Sequence, residues 1–351
     1  MQQKVKQNIT RINVFLKDHN KKNIFVIVKE VFVLMIRTKR FPLYYFGRLL
    51  YRKDSGCYKD FLSMNEYFSI IDSKKLNKEE YSTFLDNKLA FSLLCKKNKV
   101  VAPKVWSYNF GNNFYLNEKI YHVTNKIELC AFFRLLFEST KIDRFFLKLL
   151  GSIGRGGKGI YLLNYSHLEA DVERFGDIIM NNSYIHQEPI IQHPLIDKIY
   201  SKSVNTLRIY TYIDNNGKTH LLDTVMRFGT AGSVLDNKSL GGFFVPVDMS
   251  TGKLTKKGVQ GMIHGGRHIY QHPDTNFVFN EFEIPFFKEA HEMCLQLVEY
   301  IPNRLNGWDI AITPNGPVVI EGNTRPGILM GEIGYGGYLK HPLIQEILSI
   351  I

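Results

Sequence analysis

Asp309, Glu321 and Asn323 are the residues of this sequence whose types and spacing best suit a metal ion. They lie in two short apolar runs, residues 307–312 and 318–323, that are typical of the strands of a β-hairpin. Carboxylate and amide oxygens are hard ligands that Mg²⁺ prefers, and such a site leaves positions open for substrate phosphates. We therefore predict a magnesium site formed by these three side chains.

The length of the hairpin turn decides whether the two acids meet. With a three-residue loop, 314–316, Thr313 would pair with Pro317 and Asp309 would lie opposite Glu321. Opposed carboxylates repel each other, and a bound Mg²⁺ would remove that cost. A two-residue loop would instead place Glu321 with the isoleucines, and the acids would then belong to an unrelated polar face. With the three-residue loop, the residues expected on the core side are Ile310, Ile312, Val318 and Ile320.

The glycine-rich loop at residues 151–159 is the second candidate for chemistry. Its backbone N–H groups could surround a phosphate, and Lys148, in an apolar strand just upstream, needs an anionic partner. A Walker A motif fails because Gly159 follows Lys158, a Rossmann fingerprint lacks its βαβ unit, and a kinase loop lacks the HRD and DFG motifs. We favour a flap over nucleotide phosphates above a plain surface loop. Its candidate contacts are Ser152, Gly154, Gly156, Gly157 and Lys158.

Basic and imidazole side chains between the later strands could bind an acceptor. Arg227, His264 and Arg267 could hold an anionic sugar or a carboxylate. The histidines at 264–272 fit no zinc spacing. A polar loop without a ligand remains the alternative.

Periodicity and turn signals predict the elements that must position these residues. Helices are expected over residues 76–98, with a capping box of Asn77 and Glu80, and over residues 285–301. The strand-like segments run from residue 104 to 123 and then over 143–150, 183–192, 206–227 and 241–247. Because strands outnumber helices and tight hairpins join several of them, the predicted fold class is α+β with antiparallel sheets.

The first 60 residues carry most of the positive charge. They contain 14 Lys or Arg against 4 Asp or Glu, which accounts for +10 of the net charge of +12. Such a basic, aromatic-rich segment could rest on an anionic membrane surface, or it could be a solvated helix packed on the protein body. No nucleic-acid signature accompanies the charge, so nucleic acid is not expected as a partner.

The compartment is predicted from what the sequence lacks. Its apolar runs are too short for a spanning helix, and the N-terminus has no secretory pattern. The four cysteines form no CxxC pair. We expect a cytoplasmic protein, with contact at the cytoplasmic face of the membrane as one interpretation of residues 1–60.

Several of these motifs together resemble the ATP-grasp superfamily: Lys148, the loop 151–159 and the run from Asp309 to residue 327. Residues 203–208 and 307–311 are similar to the sugar-transfer-associated ATP-grasp family (alpha-L-glutamate ligase-like). The resemblance extends from Asn87 to the C-terminus. It implies two α+β lobes with largely antiparallel sheets that clasp ATP. Independently of the resemblance, we expect a basic helical N-terminal segment to precede these lobes.

The resemblance also implies a division of the chain and a set of roles. The divisions are residues 1–60, then 61–186 with the small lobe, and 187–351 with the magnesium site. The expected ATP contacts, beyond the glycine loop, are Lys88, Lys148 and the interlobe hinge formed by Gln187, Glu188, Pro189 and Ile190. The residues expected to act in catalysis are Lys148, Arg208 and Arg325.

The implied activity is an ATP- and Mg²⁺-dependent ligase that joins a carboxylate to an amine through an acyl phosphate. Its substrates would be small-molecule or lipid-linked sugars and amino-acid-type compounds, in surface polysaccharide or glycoconjugate biosynthesis. The alternatives are a kinase that transfers the γ-phosphate to a sugar or lipid hydroxyl, and a binding protein with an inactive nucleotide site.

Overall fold

A computed structural model describes residues 2–150, 159–232 and 241–351, and side chains from residue 9 onward. Its helices are α1 Gln2–Lys17, α2 Ile24–Thr38, α3 Leu43–Gly47, α4 Met64–Asp72, α5 Glu79–Asp86, α6 Lys88–Lys97, α7 Lys126–Thr140, α8 Leu168–Met180, α9 Pro194–Asp197, α10 Phe287–Tyr300, α11 Leu329–Gly334 and α12 Pro342–Ile350. Its strands are β1 Val105–Phe110, β2 Asn113–Leu116, β3 Lys119–His122, β4 Arg144–Leu149, β5 Ile160–Asn164, β6 Ser183–Gln187, β7 Thr206–Ile213, β8 Thr219–Phe228, β9 Phe243–Pro246, β10 Gly258–Gln260, β11 His268–Ile269, β12 Leu305–Thr313 and β13 Gly316–Thr324.

The strands form two antiparallel sheets. The first has the order β3-β2-β1-β6-β4-β5, and α7 and α8 cover one of its faces. The second has the order β11-β10-β9-β8-β7-β12-β13. The predicted α+β fold with antiparallel sheets is therefore confirmed. Helices pack on the sheets and bury their apolar faces.

The second sheet is covered on both faces. Helix α10 packs on one face through Ala290, Cys294 and Leu297, which confirms the predicted apolar face of that helix. On the other face, α4 and α12 cover Tyr210 and Tyr212. Strand β7 is consequently buried along nearly its whole length, so a charged side chain on it needs a charged partner.

The N-terminal segment forms helices α1 to α3, as predicted, and packs against the second sheet. Tyr44 and Tyr45 are buried together with Val225 and Phe244 of the sheet, and Leu34 of α2 belongs to the same cluster. The segment thus supplies part of the hydrophobic core.

The predicted single helix over residues 76–98 is wrong, because the structure has two helices there, α5 and α6, which are separated at Asn87. The Asn87 backbone is extended, and its side chain accepts hydrogen bonds from the backbone N–H groups of Leu89 and Ala90. An asparagine in this position satisfies donors at the start of a new helix, so α6 begins at Lys88.

The predicted Asn77–Glu80 capping box is also wrong. The cap of α5 is Lys78, which makes no side-chain capping bond. The Asn77 Oδ1 atom instead accepts from the backbone N–H of Arg325, at 3.2 Å, and from the Asn303 Nδ2 atom, at 3.2 Å.

Candidate functional site

The turn of the β12–β13 hairpin has two residues, not the predicted three. Thr313 pairs with Gly316 and Ile310 with Val319, a register that by itself would separate the two acids. A β-bulge at Ile320 then inserts one extra residue, and Asp309 lies opposite Glu321. The predicted pair is therefore correct although the predicted turn is wrong.

The same shift changes which residues enter the core. Ile310 and Ile312 are buried as expected, but Val319 takes the place predicted for Val318 and Ile320, which are only partly buried. The register set by the two-residue turn makes Val319 face the core. Because Ile320 lies in the bulge, its side chain does not follow the regular alternation of the strand between the two faces of the sheet.

Two glycines allow the hairpin to approach its surroundings closely. A Cβ atom at Gly322 would lie 2.5 Å from Leu85 Cδ2 of α5 and 2.7 Å from the Trp308 ring. A Cβ at Gly307 would lie 2.7 Å from Pro326 Cβ and 3.3 Å from the side chain of Arg208. The absence of a side chain at both positions therefore lets α5 and the Arg208 side chain pack closely against the hairpin.

Asp309 is buried and held by two arginines of neighbouring strands. The Arg208 Nη2 atom lies 3.0 Å from Asp309 Oδ2, and the Arg208 Nε–H donates to Oδ1. The Arg227 Nη2 atom lies 3.0 Å from Asp309 Oδ2. Burial raises the pKa of Asp309, but the arginines outweigh it and lower the value to about 2. Asp309 is therefore ionised under all ordinary conditions.

Glu321 differs from Asp309 in the direction of its pKa shift. Burial, and then the neighbouring Asp309 carboxylate, raise the pKa of Glu321 above its usual range, while Lys88 and Arg208 oppose the rise. A proton on Glu321 relieves the repulsion between the two acids, as a divalent cation would.

Lysines from two other elements lie beside these acids. Lys148, on β4 of the first sheet, is partly exposed, and burial lowers its pKa to about 8 while Glu321 and Asp309 oppose this effect. Lys88, in the first turn of α6, lowers the pKa of Lys148 further. Charges affect each other in this way only when they lie close together, so the two lysines form a cluster with the two carboxylates. Lys148 comes from the first sheet and the two acids come from the second.

Arg227 was predicted to bind an acceptor together with Arg267 and His264, and the structure places it elsewhere. It reaches Asp309, and its Nε–H also donates to Thr206 Oγ1 at 2.9 Å. His264 ends a short turn after β10, and Arg267 is exposed just before β11, which is separated from β8 by the two strands β9 and β10. No sequence motif indicated that Arg227 contacts Asp309. The only available indication was the predicted β7–β8 hairpin, in which Arg227 lies opposite Thr206.

Arg325 follows β13 directly and is exposed. Its φ of 51° is unusual for a residue other than glycine, and the bond from its backbone N–H to Asn77 holds this conformation. The catalytic role of Arg325 stays a prediction.

The predicted hinge follows β6. Glu188 does not project freely, because its carboxylate accepts from the backbone N–H of Lys104 and from Trp106 Nε1, each at 3.1 Å. Gln187 is buried, and its Oε1 atom finds no hydrogen-bond partner among the residues that the structure describes. Pro189 and Ile190 continue as irregular, partly exposed chain.

The glycine loop connects β4 to β5, an antiparallel pair in which Lys148 lies opposite Ile160. This is the predicted position between two strands. The backbone N–H of Leu149 donates to the Gly159 carbonyl at 3.1 Å. The predicted contacts Ser152, Gly154, Gly156, Gly157 and Lys158 lie outside the described residues.

The oxygen atoms at the acidic pair are suitable ligands for a Mg²⁺ ion that is bound together with phosphates. Within the described residues, no group of three or more Asp, Glu, His or Cys side chains could hold a metal. Two carboxylates remain, together with the amide of Asn323. The Asn323 Nδ2 atom donates to Gly307 O at 3.3 Å and to Glu321 Oε1 at 3.4 Å, so Oδ1 is its ligand atom for a metal. Such a small oxygen set suits Mg²⁺, which usually completes its shell with water and phosphate oxygens.

Replacing Asp309 by Asn should destabilise the fold by about 2 kcal/mol, because the buried Arg208 and the partly buried Arg227 lose their counter-ion. This loss of stability is smaller than the loss expected when a fully buried ion pair is broken, because the Arg227 side chain keeps some exposure. Urea unfolding without Mg²⁺ measures it. Glu321→Gln is the matched control, since it removes a repulsive partner and should not lower stability; equal losses in both variants would contradict the described ion pairs.

Comparison with known proteins identifies the family. A model of the sugar-transfer associated ATP-grasp family matches residues 68–347, whereas no curated protein matches the chain. D-alanyl-alanine synthetase A from Vibrio cholerae resembles this structure with a TM-score of 0.45 and 13% identity, over 82% of this chain and 72% of that one.

Two further solved structures are similar. An ADP complex of N5-carboxyaminoimidazole ribonucleotide synthetase has a TM-score of 0.41 and 12% identity, over 70% of this chain and 46% of that one. The ATP-grasp ligase PsnB has a TM-score of 0.42 and 12% identity, over 78% of this chain and 61% of that one. The chain thus spans about half the length of the N5-carboxyaminoimidazole ribonucleotide synthetase and less than two thirds of the length of PsnB. Because the family model covers most of its length, the chain belongs to the sugar-transfer associated ATP-grasp family.

Proposed function

We propose that this protein is an ATP- and Mg²⁺-dependent ligase that forms a carbon–nitrogen bond between a carboxylate and an amine. The observation that carries the proposal is the cluster of Lys88, Lys148, Asp309 and Glu321 between the two sheets. Its lysines suit nucleotide phosphates and its acids suit the accompanying metal. Family membership supports the same use of the cluster.

In the first proposed step, a substrate carboxylate oxygen attacks the γ-phosphorus of ATP. The bond from that phosphorus to the bridging oxygen breaks, ADP leaves, and an acyl phosphate forms. Phosphoryl transfer of this kind depends on positioning and on fixed positive charge. Lys88 and Lys148 would hold the phosphates, and Arg208 and Arg325 would face the transferred group. Mg²⁺, held by Asp309, Glu321 and Asn323, would neutralise phosphate charge.

In the second step, the amine nitrogen attacks the acyl carbon. The carbon–oxygen bond to phosphate breaks, inorganic phosphate leaves, and the nitrogen loses a proton to the departing phosphate as the amide forms. The positive charge of the buried Arg208 is suited to the charge on the acyl phosphate.

For nucleotide recognition we propose the hinge Gln187, Glu188, Pro189 and Ile190. The Gln187 Oε1 atom is buried without a described partner, so it is available to accept a hydrogen bond from the amino group of adenine. The two hydrogen bonds to Glu188 fix the adjoining backbone in place. The loop residues Ser152, Gly154, Gly156, Gly157 and Lys158 remain predicted phosphate contacts.

The proposed substrates are a small-molecule or lipid-linked sugar and an amino-acid-type compound, in surface polysaccharide or glycoconjugate biosynthesis. The sugar-transfer association of the family supports this class. Arg267 and His264 remain candidate acceptor contacts. We also propose that the protein works at the cytoplasmic face of a membrane, supported by the basic N-terminal segment and its exposed apolar side chains.

The test is ATP turnover with Mg²⁺ against a panel of amino acids and uronic acids. We expect ADP and phosphate release that requires one acid and one amine together, and a condensed product with the mass of both less water. Phosphate recovered on the acceptor would identify a kinase instead. An absence of ATP binding would rule out both activities.

A further inference from the structure

Helix α2 has apolar residues around its whole circumference, although only one side of it packs against the protein. Ile27 and Leu34 face inward and join the core beneath the N-terminal segment. Its single acid, Glu30, also faces inward, where Lys22 Nζ lies 2.9 Å from Glu30 Oε2. A helix that is apolar all round normally has its outer side covered as well.

The outer side of α2 is strongly exposed. Phe25 is 80% exposed, Phe32 61% and Ile36 65%, and their spacing places them on one face of the helix. Val28 and Met35 flank this stripe and are exposed too. We call these five side chains the α2 outer face. Exposed apolar surface of this extent marks an interaction site.

The charges around the α2 outer face indicate the chemistry of the partner. Lys29 is exposed within the stripe, and Lys39 and Arg40 are exposed just beyond the end of the helix. The apolar side chains of Phe41 and Leu43 follow immediately and are also exposed. Residues 21–43 contain six Lys or Arg and a single acid, the inward-facing Glu30. A partner must therefore accept apolar rings and present negative charge.

We propose that the α2 outer face docks on an anionic lipid bilayer, with the helix lying in the plane of the interface. Phe25, Phe32 and Ile36 would enter the boundary between headgroups and acyl chains, and Lys29 can extend its ammonium group to the headgroups. Lys39 and Arg40 would contact anionic headgroups, each adding to the affinity.

The structure argues against two other arrangements. The 15 residues of α2 extend for about 22 Å, less than the roughly 30 Å of a bilayer core. Across the described residues, no helix has the length and apolar character of a membrane span. A second copy packed on the α2 outer face would bring the cations of both copies together without compensating acids.

This inference deepens the proposed membrane location but does not depend on the ligase reaction. The test is therefore vesicle binding by the full chain without ATP, with nucleotide binding measured separately. Deleting residues 1–60 would strip buried side chains from the second sheet, so point substitutions are preferable. We compare vesicles of phosphatidylcholine alone with vesicles of equal parts phosphatidylcholine and phosphatidylglycerol, by co-sedimentation.

The protein should bind the anionic vesicles, and binding should weaken as salt is added. The double variant Phe25→Ser and Phe32→Ser should bind at least about tenfold more weakly, since burial of even one phenylalanine side chain exceeds that factor. The double variant Lys39→Gln and Arg40→Gln should lose affinity for anionic vesicles only. A matched control is Ile120→Ser with Ile127→Ser, which removes side chains 63% and 84% exposed on the other lobe.

Three outcomes would overturn the inference. One is unchanged vesicle binding by the phenylalanine variant, and another is equal binding to neutral and anionic vesicles. The third is a concentration-dependent dimer in light scattering that the phenylalanine variant dissociates, which would show that a second copy covers the α2 outer face. Far-UV circular dichroism should be unchanged in every variant, because all substituted residues are exposed.

Discussion

Glu321→Gln should lower Mg²⁺-dependent ATP turnover by at least about 100-fold, because the amide lacks the charge needed to hold the metal against the transferring phosphate. The shape of the side chain is kept, so the geometry of the hairpin should persist. The measurement is the rate of phosphate release under saturating substrates, together with the Mg²⁺ concentration that gives half the maximal rate.

This variant separates a catalytic role from a structural one. Glu321 repels Asp309, and loss of its charge should leave the free energy of unfolding unchanged or slightly higher. Glu299→Gln, an exposed position on α10, is the control for loss of one negative charge. Full turnover by Glu321→Gln at ordinary Mg²⁺ concentrations would show that the acidic pair is not the metal site.

Lys148→Met should weaken ATP binding by about 100-fold, near the upper end of what a hydrogen bond to a charged group contributes. The ammonium group is partly desolvated in the cleft, which strengthens its attraction to phosphates. Methionine keeps most of the apolar stem, so the packing of β4 should survive. Calorimetric titration with ATP and Mg²⁺ measures the change, and Lys119→Met, an exposed position on β3, is the control.

The same lysine predicts the pH dependence of ATP binding. Burial lowers the pKa of Lys148 to about 8, and bound phosphates favour its charged form. At pH 7 the group is mostly charged; as pH rises through 8 it loses its proton, and ATP binding then requires proton uptake. ATP affinity should therefore fall above pH 8 in the parent protein but not in Lys148→Met. A parallel fall in both would assign the titration to another group.

The acidic hairpin shows how far the sequence alone could lead. The residue types and the two strands were readable, and the opposition of Asp309 and Glu321 was predicted correctly. The turn that produces this opposition was predicted wrongly. A two-residue turn and a bulge at Ile320 together give Asp309 and Glu321 the same register as a three-residue loop would. A bulge depends on packing by neighbouring elements, and no local pattern in the sequence specifies it.

Helix α6 illustrates a different kind of error. The apolar stripe over residues 76–98 continues through the break, so periodicity alone predicted one helix. Asparagine is a common capping residue, but an asparagine inside a helical pattern, such as Asn87, can also point to solvent. The sequence also does not show that α5 packs on β13, where Leu85 meets Gly322, or that Lys88 at the start of α6 lies near the acids.

The sequence by itself determined the family, the antiparallel class of the sheets and the identities of the metal-binding and phosphate-binding candidates, because these follow from short motifs and strand periodicity. The tertiary structure alone decided that Arg227 joins Arg208 at Asp309, that Asn77 holds Arg325 and that the outer face of α2 stays uncovered. Each of these depends on which side chains meet across distant parts of the chain, and spacing along the chain does not encode such contacts.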